Sequence, residues 1–378
     1  MNTKYYDVIV AGAGPAGICA AVAAARQGAR VALIERYGVI GGNLTAGYVG
    51  PILGSVSKNT MRDEVCAILG VKDNDWIGEH GNAHDFEEAK LTLAEFVARE
   101  KNVDVFLQCC VSDVIRDGKV VKGIKCASNE GTLCFEAAVT IDCTGDAIVS
   151  FLAGAKIEKG RADGLMQPVT LEYTIDGVDE SKGIICIGDV DNVQLNGECF
   201  LDWCKKKADE GKLPRMLAAV RLHPSVRPGC RQVNTTQVNR VDITSVSSIF
   251  AADLELRQQI RLLTQFLKEN LPGYENCRVI GSGTTTGVRE SRRVMGDYVI
   301  DAMKWRKAVV LPMWWYIKHC SLSIYIILTE PDRRNRPSNI ANHTICRIVV
   351  FSRWAWKGFW WRDGAYRVLT ELTLPIVS

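Results

Sequence analysis

The sequence predicts an α/β fold in which a sheet of parallel strands is interrupted by a second, α+β unit. Two observations indicate the sheet: the chain opens with a strand, a helix and another strand, and several short strands follow within residues 102–147. A long amphipathic helix at 247–271 belongs to the second unit. With 378 residues, 47% apolar and 24% charged, the chain is long enough for two globular domains.

The opening unit has the spacing of a βαβ dinucleotide-binding motif. An apolar run at 5–11 is typical of a buried strand, an alanine-rich helical stretch follows, and a second strand at 30–35 ends in Glu35. The turn between the first strand and the helix has the GxGxxG pattern, at Gly12, Gly14 and Gly17. The whole arrangement is Rossmann-like and predicts a bound dinucleotide, whereas the bare glycine pattern would also suit an empty turn.

Each position in this motif has a physical reason. Gly12 allows the tight turn, Gly14 lets the backbone approach a pyrophosphate, and Gly17 lets the helix pack on the strand. The helix N-terminus offers N–H groups and a partial positive charge to the phosphates, while Glu35 accepts hydrogen bonds from ribose hydroxyls. The predicted cofactor-binding residues here are Gly12, Gly14, Pro15, Ala16, Gly17, Glu35 and Arg36.

A second glycine pair, Gly41-Gly42, follows the acidic residue and favours FAD over NAD. FAD is the longer molecule, and its pyrophosphate and ribityl chain must pass the loop after the second strand. Glycines let that loop lie against the ligand, and Asn43 and Thr45 could donate hydrogen bonds to it. A plain turn is the alternative.

Three stretches together resemble a known family: DVIVAGAGPAGICAAVAAARQGARVALIERYGVIGGNLTAG (7–47), NVDVFLQCCVSDVIRDGKVVKGIKCASNEGTLCFEAAVTIDCTGDA (102–147) and TTTGVRESRRVMGDYVI (284–300). They resemble FAD-dependent oxidoreductases of the glutathione-reductase-like superfamily, and more closely the branch related to fumarate reductase flavoproteins. The resemblance covers about residues 4–307. It implies a Rossmann-like FAD-binding domain, a parallel sheet plus a β-meander, interrupted by an α+β cap domain.

The resemblance also implies further cofactor contacts. Backbone near Val111 would touch the adenine, and the turn Thr144-Gly145-Asp146 would lie near the adenosine. For Thr144 and Asp146 a helix N-cap is the alternative, and both roles are compatible.

Several features narrow the chemistry. The segment after the double glycine lacks the cysteine pair of the disulfide reductases, and residues 36–60 contain no histidine for covalent flavin attachment. The 14 cysteines are scattered without CxxC spacing, which favours reduced thiols in a cytoplasmic protein and predicts neither a metal site nor an iron–sulfur cluster. Electrons must therefore pass to or from a partner, a nicotinamide or oxygen.

The second unit is predicted to form a cap that sets substrate specificity. Residues 166–178 read as a strand, 231–245 as another polar-apolar run, and 247–271 as one long helix. Arg289 and Arg292 are the candidate catalytic residues, since arginines in flavoenzymes that act on small carboxylates pair with the substrate. The alternative for them and for Arg293 is pairing with structural acids such as Glu290, or with cofactor phosphate.

A second polar group, His223 with Arg227 and Arg231, is a weaker candidate, and its spacing favours a surface loop. His80 and His84 have no informative spacing.

The C-terminal segment 308–378 differs in composition from the rest. It holds six of nine tryptophans and two of 33 glycines, and its net charge is +5 against −2 for residues 1–307. The apolar window 308–328 carries Lys318 and His319 at its centre, which disfavours a membrane span. In the family that the sequence resembles, this region forms a strand, a glycine-rich segment and a helix. We expect instead that residues 308–378 are an atypical C-terminal segment of the kind that a frameshift produces.

The predicted domains are 1–160 for FAD binding, 161–283 for the cap, 284–307 for the return to the FAD domain, and the segment 308–378. The leading functional hypothesis is exchange of a hydride between non-covalent FAD and a small organic substrate, possibly a carboxylate. The alternatives are a catalytically defective truncated flavoprotein, and a monooxygenase or thiazole-synthase-like enzyme on the same fold. A net charge of +3 gives no reason to expect nucleic acid as a partner.

Overall fold

The computed structural model describes residues 3–52, 60–71, 83–187 and 193–295, together with the backbone of a strand at Tyr325–Leu328. His80 and most of the window 308–328 lie outside these residues. Within them, no helix is long and apolar enough to cross a membrane.

The strands, in chain order, are β1 (Thr3–Ala11), β2 (Val31–Ile34), β3 (Val103–Phe106), β4 (Cys110–Asp117), β5 (Val120–Ser128), β6 (Gly131–Asp142), β7 (Ile157–Lys159), β8 (Tyr173–Asp176), β9 (Gln194–Leu195), β10 (Glu198–Cys199), β11 (Leu222–Pro224), β12 (Arg231–Val233), β13 (Arg278–Ser282), β14 (Arg292–Val294) and β15 (Tyr325–Leu328). The helices are α1 (Pro15–Arg26), α2 (Met61–Ile68), α3 (Phe86–Ala98), α4 (Ile148–Leu152), α5 (Phe200–Asp209) and α6 (Val246–Asn270).

The first sheet has the strand order β3-β2-β1-β6-β5-β4. Its first four strands are parallel, and β6, β5 and β4 form an antiparallel meander. Helices α1 and α3 pack on one side in a single apolar cluster with residues of β1 and β2. The predicted parallel sheet plus meander is therefore confirmed.

The C-terminal segment contributes one described strand to this sheet. Strand β15 runs antiparallel beside β6, with Tyr325 opposite Asp142. At least this part of 308–378 thus joins the central sheet. The rest of the segment lies outside the described residues, so its origin stays a prediction, as do the domain boundaries.

The second sheet is antiparallel, in the order β11-β12-β8-β13, and α6 packs against it. The long helix predicted at 247–271 is confirmed as α6. The strand predicted at 166–178 is wrong in extent, because regular pairing is confined to β8, and only isolated bridges at Val169 and Thr170 precede it. Strand β14 pairs with β7, so the chain returns from the second unit to the end of the first.

Candidate functional site

The two glycine turns of the N-terminal unit lie against each other. Gly14 is the N-cap of α1 and has no side-chain cap, so the first N–H groups of the helix point into the turn. A Cβ on Gly42, which has φ +52°, would lie 2.9 Å from the Cα of Gly14. A Cβ on Gly14 would meet nothing closer than 4.0 Å. A Cβ on Gly14 would thus be in ordinary van der Waals contact with Gly42.

The other two motif glycines are required by packing. A Cβ on Gly17 would lie 1.7 Å from the carbonyl oxygen of Gly12, and one on Gly12 would lie 2.4 Å from the oxygen of Cys143. Helix α1 therefore sits directly on the turn and on the end of β6. These contacts agree with the predicted roles of Gly12 in the tight turn and Gly17 in helix packing.

Glu35 and Ala13 connect the predicted cofactor-binding segments. The buried carboxylate of Glu35 accepts hydrogen bonds from Ala13 N (2.7 Å, Oε2) and Tyr37 N (3.0 Å, Oε1). The carbonyl of Ala13 accepts one from Gly41 N (2.8 Å). Each carboxylate oxygen keeps a lone pair for a ribose hydroxyl, because a carboxylate offers about four acceptor sites.

Residues predicted near the adenosine lie next to Glu35. Cys109 N donates to Glu35 O (2.9 Å), and Val111 follows at the start of β4. Arg36 forms an ion pair with Asp146 (3.5 Å), which connects the end of β2 with the turn after β6. Sequence positions far apart are thus brought together at the carboxyl ends of neighbouring strands, where α/β sheets bind ligands.

The turn after β6 is organised by a buried aspartate that sequence reasoning missed. Asp142 accepts hydrogen bonds from the backbone N–H and hydroxyl of Thr144 (3.1 and 2.7 Å) and from those of Ser150 (both 2.8 Å). Burial raises its pKa, and the four donors oppose this effect. Thr144 Oγ1 also accepts from Ile148 N (3.0 Å), the first residue of α4. The N-cap position of α4 is Ala147, so the N-cap alternative for Thr144 and Asp146 is wrong. Gly145 has φ +75° in this turn.

The loop after Gly41-Gly42 is fixed by side chains rather than by regular structure. Thr45 is buried and its hydroxyl donates to Ile40 O (2.6 Å), so that proton is directed away from a ligand. Asn43, by contrast, is exposed. The ring of His84 lies between two loop carbonyls, with Nδ1 2.8 Å from Gly50 O and Nε2 2.7 Å from Leu44 O. Burial lowers the pKa of His84.

The three clustered arginines have different surroundings. Arg292 stacks on the ring of Phe151 (4.5 Å) and lies 3.4 Å from Asp146 O. Arg293 pairs with Glu290 and donates to Gly160 O (2.6 Å), which confirms the structural alternative for it. Arg289 lies near Glu172, and the two charges affect each other's pKa. The catalytic roles of Arg289 and Arg292 stay predictions.

Glu172 is the centre of a buried polar cluster at the contact between the two units. Gln232 Nε2 donates both to Glu172 Oε2 and to the carbonyl of Tyr48, in the loop after Gly41-Gly42. Burial raises the pKa of Glu172 to about 8, and the nearby charge of Arg289 opposes the rise. Burial in turn lowers the pKa of the partly buried Arg289. Thr284 N adds a contact to the same loop, at Ala46 O (2.8 Å).

The expectation of a surface loop around His223, Arg227 and Arg231 is wrong for two of the three. His223 lies on β11 and Arg231 on β12, and both are buried, because the paired strands are covered on both faces. Arg227 alone is exposed, paired with Asp85 (2.5 Å). Burial, together with the charge of Arg221, lowers the pKa of His223 to about 4.

Sequence reasoning missed Glu172 and Gln232. The available signal was an acidic residue inside the apolar run VTLEYTI and a glutamine inside RQV. An acid or an amide in a short strand is easily taken as solvent-facing, whereas the folded protein buries both side chains.

Comparison with known proteins agrees with this geometry. A sequence model described as FAD dependent oxidoreductase matches residues 7–309, about four-fifths of the chain. The chain belongs to the FAD dependent oxidoreductase family. It is therefore an oxidoreductase, and FAD is its cofactor. The family match ends beside the change in composition near residue 307.

Curated relatives are similar over a short part of this family member. A soluble pyridine nucleotide transhydrogenase of Marinomonas sp. (strain MWYL1) is 36% identical over 91 residues, 24% of this chain and 18% of the relative. One from Chromohalobacter salexigens is 33% identical over 103 residues, 26% of this chain and 21% of the relative. The chain thus spans about a fifth of their length.

Solved structures resemble the oxidoreductase distantly. A geranylgeranyl bacteriochlorophyll reductase-like protein from Thermoplasma acidophilum has 18% identity and a TM-score of 0.44, covering 76% of this chain and 66% of its own. The L-amino acid deaminase from Proteus vulgaris has 13% identity and a TM-score of 0.47, and the match covers 79% of this chain and 86% of the deaminase chain. Likenesses at this level indicate no activity.

The residues present fit FAD. At the N-terminus of α1, which has no side-chain cap, Gly14 and Gly42 face each other without side chains, and we call this place the glycine crevice. Glu35 lies at one end of it with acceptor capacity for a ribose. Among the described residues, no group of three or more His, Cys, Asp or Glu side chains could hold a metal ion.

Proposed function

We propose that this oxidoreductase exchanges a hydride between non-covalently bound FAD and a small organic substrate that carries a carboxylate. The observation that supports the proposal most is the hydrogen bond of Gln232 to Tyr48 O, beside Glu172. It connects the loop of the glycine crevice with the polar cluster of the second unit. The residues that would bind the cofactor and those that would bind the substrate would therefore lie next to each other.

The roles of the chain's own residues follow from this contact. Bound FAD supplies the acceptor or donor of the hydride. Gly14 and Gly42 would admit its pyrophosphate, and Glu35 would hold the adenosine ribose. Arg289 would pair with the substrate carboxylate, since a guanidinium offers two parallel donors, and its position sets the orientation of the substrate.

The electron partner is part of the proposal. The transhydrogenases to which the chain is similar are named for pyridine nucleotides. We therefore propose a pyridine nucleotide as the first donor or acceptor to test, with oxygen next.

The test begins with the absorption spectrum of the purified chain, with and without added FAD. We expect visible flavin bands that remain after gel filtration, and their bleaching by NADH or NADPH under argon. A protein that is refolded with excess FAD and retains none would contradict the proposal. Retained flavin that dithionite bleaches, but neither nucleotide does, would contradict only the choice of electron partner.

A further inference from the structure

One side chain spans the loop of residues 44–50, which we call the crevice loop because it follows Gly41-Gly42. The ring of His84 lies between two carbonyls of this loop, with Nε2 2.7 Å from Leu44 O and Nδ1 2.8 Å from Gly50 O. His84 is 3% exposed, and Leu44 and Gly50 are buried as well. A single buried ring therefore contacts both ends of the crevice loop.

The second unit binds two carbonyls in the middle of the crevice loop. Thr284 N donates to Ala46 O (2.8 Å), and Gln232 Nε2 donates to Tyr48 O. Together with the contacts of His84, every second carbonyl from position 44 to position 50 is thus engaged from outside the loop. Each of these contacts fixes a different peptide group, so that together they determine the path of the backbone.

The crevice loop does not follow this path by backbone preference alone. Tyr48 has φ +57°, which is unusual for a residue with a bulky side chain. Its ring stacks on Phe86 at 4.5 Å, and its hydroxyl donates to Glu87 Oε1 (3.3 Å). Because a strained residue keeps such a conformation only where its surroundings hold it, we expect the loop to relax when a contact is lost.

His84 is itself held in place by the start of α3. It precedes Asp85, the N-cap of that helix, whose carboxylate accepts from Glu87 N (2.9 Å) and pairs with Arg227 (2.5 Å). The ring of His84 also meets the ring of Phe86 edge-on at 5.2 Å. The backbone at His84 is therefore fixed independently of the crevice loop, so that its ring can hold the loop in position.

The neutral ring is sufficient for this contact. Burial lowers the pKa of His84, so the ring is neutral at pH 7. A neutral imidazole has one N–H, and because a carbonyl lies at each ring nitrogen, either tautomer has an acceptor. An apolar side chain at this position would offer no donor to Leu44 O or Gly50 O, and an unsatisfied buried acceptor costs free energy.

The crevice loop is connected to the glycine crevice through Gly42. The loop folds back on this residue, since Gly47 N donates to Gly42 O (3.0 Å). Gly42 in turn lies so close to the first turn that a Cβ on it would be 2.9 Å from the Cα of Gly14. A change in the path of the loop would therefore move one wall of the crevice.

We propose that His84 is a positioning residue for FAD: by holding both ends of the crevice loop, it keeps Gly42 against Gly14, where the pyrophosphate is predicted to lie. The role is distinct from contact with the cofactor, because His84 acts through the loop. The inference rests on the part of the proposed function in which FAD binds at the glycine crevice.

The experiment measures the Kd of FAD for the full chain by quenching of flavin fluorescence. His84→Leu should raise this Kd about tenfold or more, because it removes the donor from two buried carbonyls and releases the ends of the crevice loop. His84→Gln should recover part of the affinity, since its amide can donate to a carbonyl.

Tyr274→Phe is the matched control. The buried Tyr274 donates to Ile184 O (2.6 Å) in the second unit, so this variant also loses a side-chain hydrogen bond to a carbonyl. Urea unfolding should show a loss of stability for both His84→Leu and Tyr274→Phe, whereas the Kd of FAD should change in His84→Leu alone. If His84 only stabilised the fold, the two variants would bind FAD equally well.

Hydrogen exchange of wild-type protein provides a second measurement that needs no variant. The closed loop and bound FAD should stabilise each other, so the amides of residues 43–50 should exchange at least about tenfold more slowly with FAD than without it. Equal exchange in the two states would overturn the proposal. A wild-type Kd for His84→Leu, or equal Kd values for His84→Leu and His84→Gln, would overturn it as well.

A wild-type chain that retains no FAD would contradict the proposed function rather than the role of His84 in the loop. In that case, hydrogen exchange of the apoprotein variants tests the role directly. Residues 43–50 should exchange about tenfold faster in His84→Leu than in Tyr274→Phe, and equal rates would show that His84 does not hold the crevice loop. Thermal melting shows which variants fold, and His84→Ala takes the place of His84→Leu if that variant does not.

Discussion

Gly42 and Gly14 face each other so closely that a Cβ on Gly42 would lie 2.9 Å from the Cα of Gly14. A side chain at Gly42 would require movement of the backbone, whereas a Cβ on Gly14 would meet nothing closer than 4.0 Å. The contact explains why a second glycine pair follows the first motif: the two turns form the two walls of one narrow crevice. FAD is the cofactor of this family member, and the crevice is where we predict its pyrophosphate lies.

Gly42→Ala should therefore abolish or strongly weaken FAD binding, because the methyl group pushes the loop off the first turn. Gly118→Ala is the matched control, since Gly118 has nearly the same backbone angle (φ +59°) and its Cβ would meet nothing within 4 Å. Both variants should lose about 1 kcal/mol of stability from the positive φ. Equal retention of flavin by the two, measured after gel filtration, would show that the crevice does not border the cofactor.

Glu35→Gln should weaken FAD binding about 10- to 100-fold, because hydrogen bonds to a charged acceptor are worth about 1.5–3 kcal/mol. The amide also turns one N–H toward the backbone N–H of Ala13 or Tyr37, which disturbs the first turn. Quenching of FAD fluorescence on titration gives the Kd. Glu100→Gln, which removes an ion pair with Arg26, is the control. If Glu35→Gln has the same Kd for FAD as this control, the predicted contact between Glu35 and the ribose is wrong.

His223 should make the protein acid-sensitive. Its pKa is lowered to about 4 in the folded state, from an ordinary value of 6.5, mainly by burial. Between these two values the unfolded chain binds a proton that the folded protein does not, so stability falls as the pH drops from about 6.5 to 4. The expected loss is about 2 kcal/mol at pH 5.

His223→Gln should remove that part of the acid sensitivity. Urea unfolding of wild type and variant at pH 7.5 and pH 5 measures it, and the difference between the two proteins should shrink at the lower pH. An unchanged difference would mean that His223 is protonated in the folded protein, or that a bound anion holds it charged.

Thr144→Val should lower stability by about 1–2 kcal/mol, because the hydroxyl of Thr144 accepts a hydrogen bond from Ile148 N and donates one to the buried Asp142. Valine has the same shape but no hydroxyl group. Thr132→Val, at an exposed position of β6, is the control and should change the free energy of unfolding by less than about 0.5 kcal/mol. Equal effects of the two substitutions would show that these two hydrogen bonds contribute nothing.

Local patterns were sufficient for the N-terminal unit of this protein and for one helix of the second unit. The βαβ unit, the parallel sheet, the meander and the helix α6 follow from strand length, glycine spacing and apolar periodicity, and these patterns are short-range. The FAD cofactor followed from residues within one stretch of about 40 positions. Such elements can be predicted from a sequence because residues that are neighbours along the chain determine them.

The second unit needed its tertiary structure. Glu172 and Gln232 are 60 positions apart, and both are polar residues that a strand pattern assigns to solvent. The folded protein buries both, and burial raises the pKa of Glu172 above that of an ordinary surface acid. The sequence by itself determined the fold class, the cofactor and the glycine crevice. The tertiary structure decided which polar side chains lie near that crevice, because desolvation and long-range contacts depend on parts of the chain that no local pattern connects.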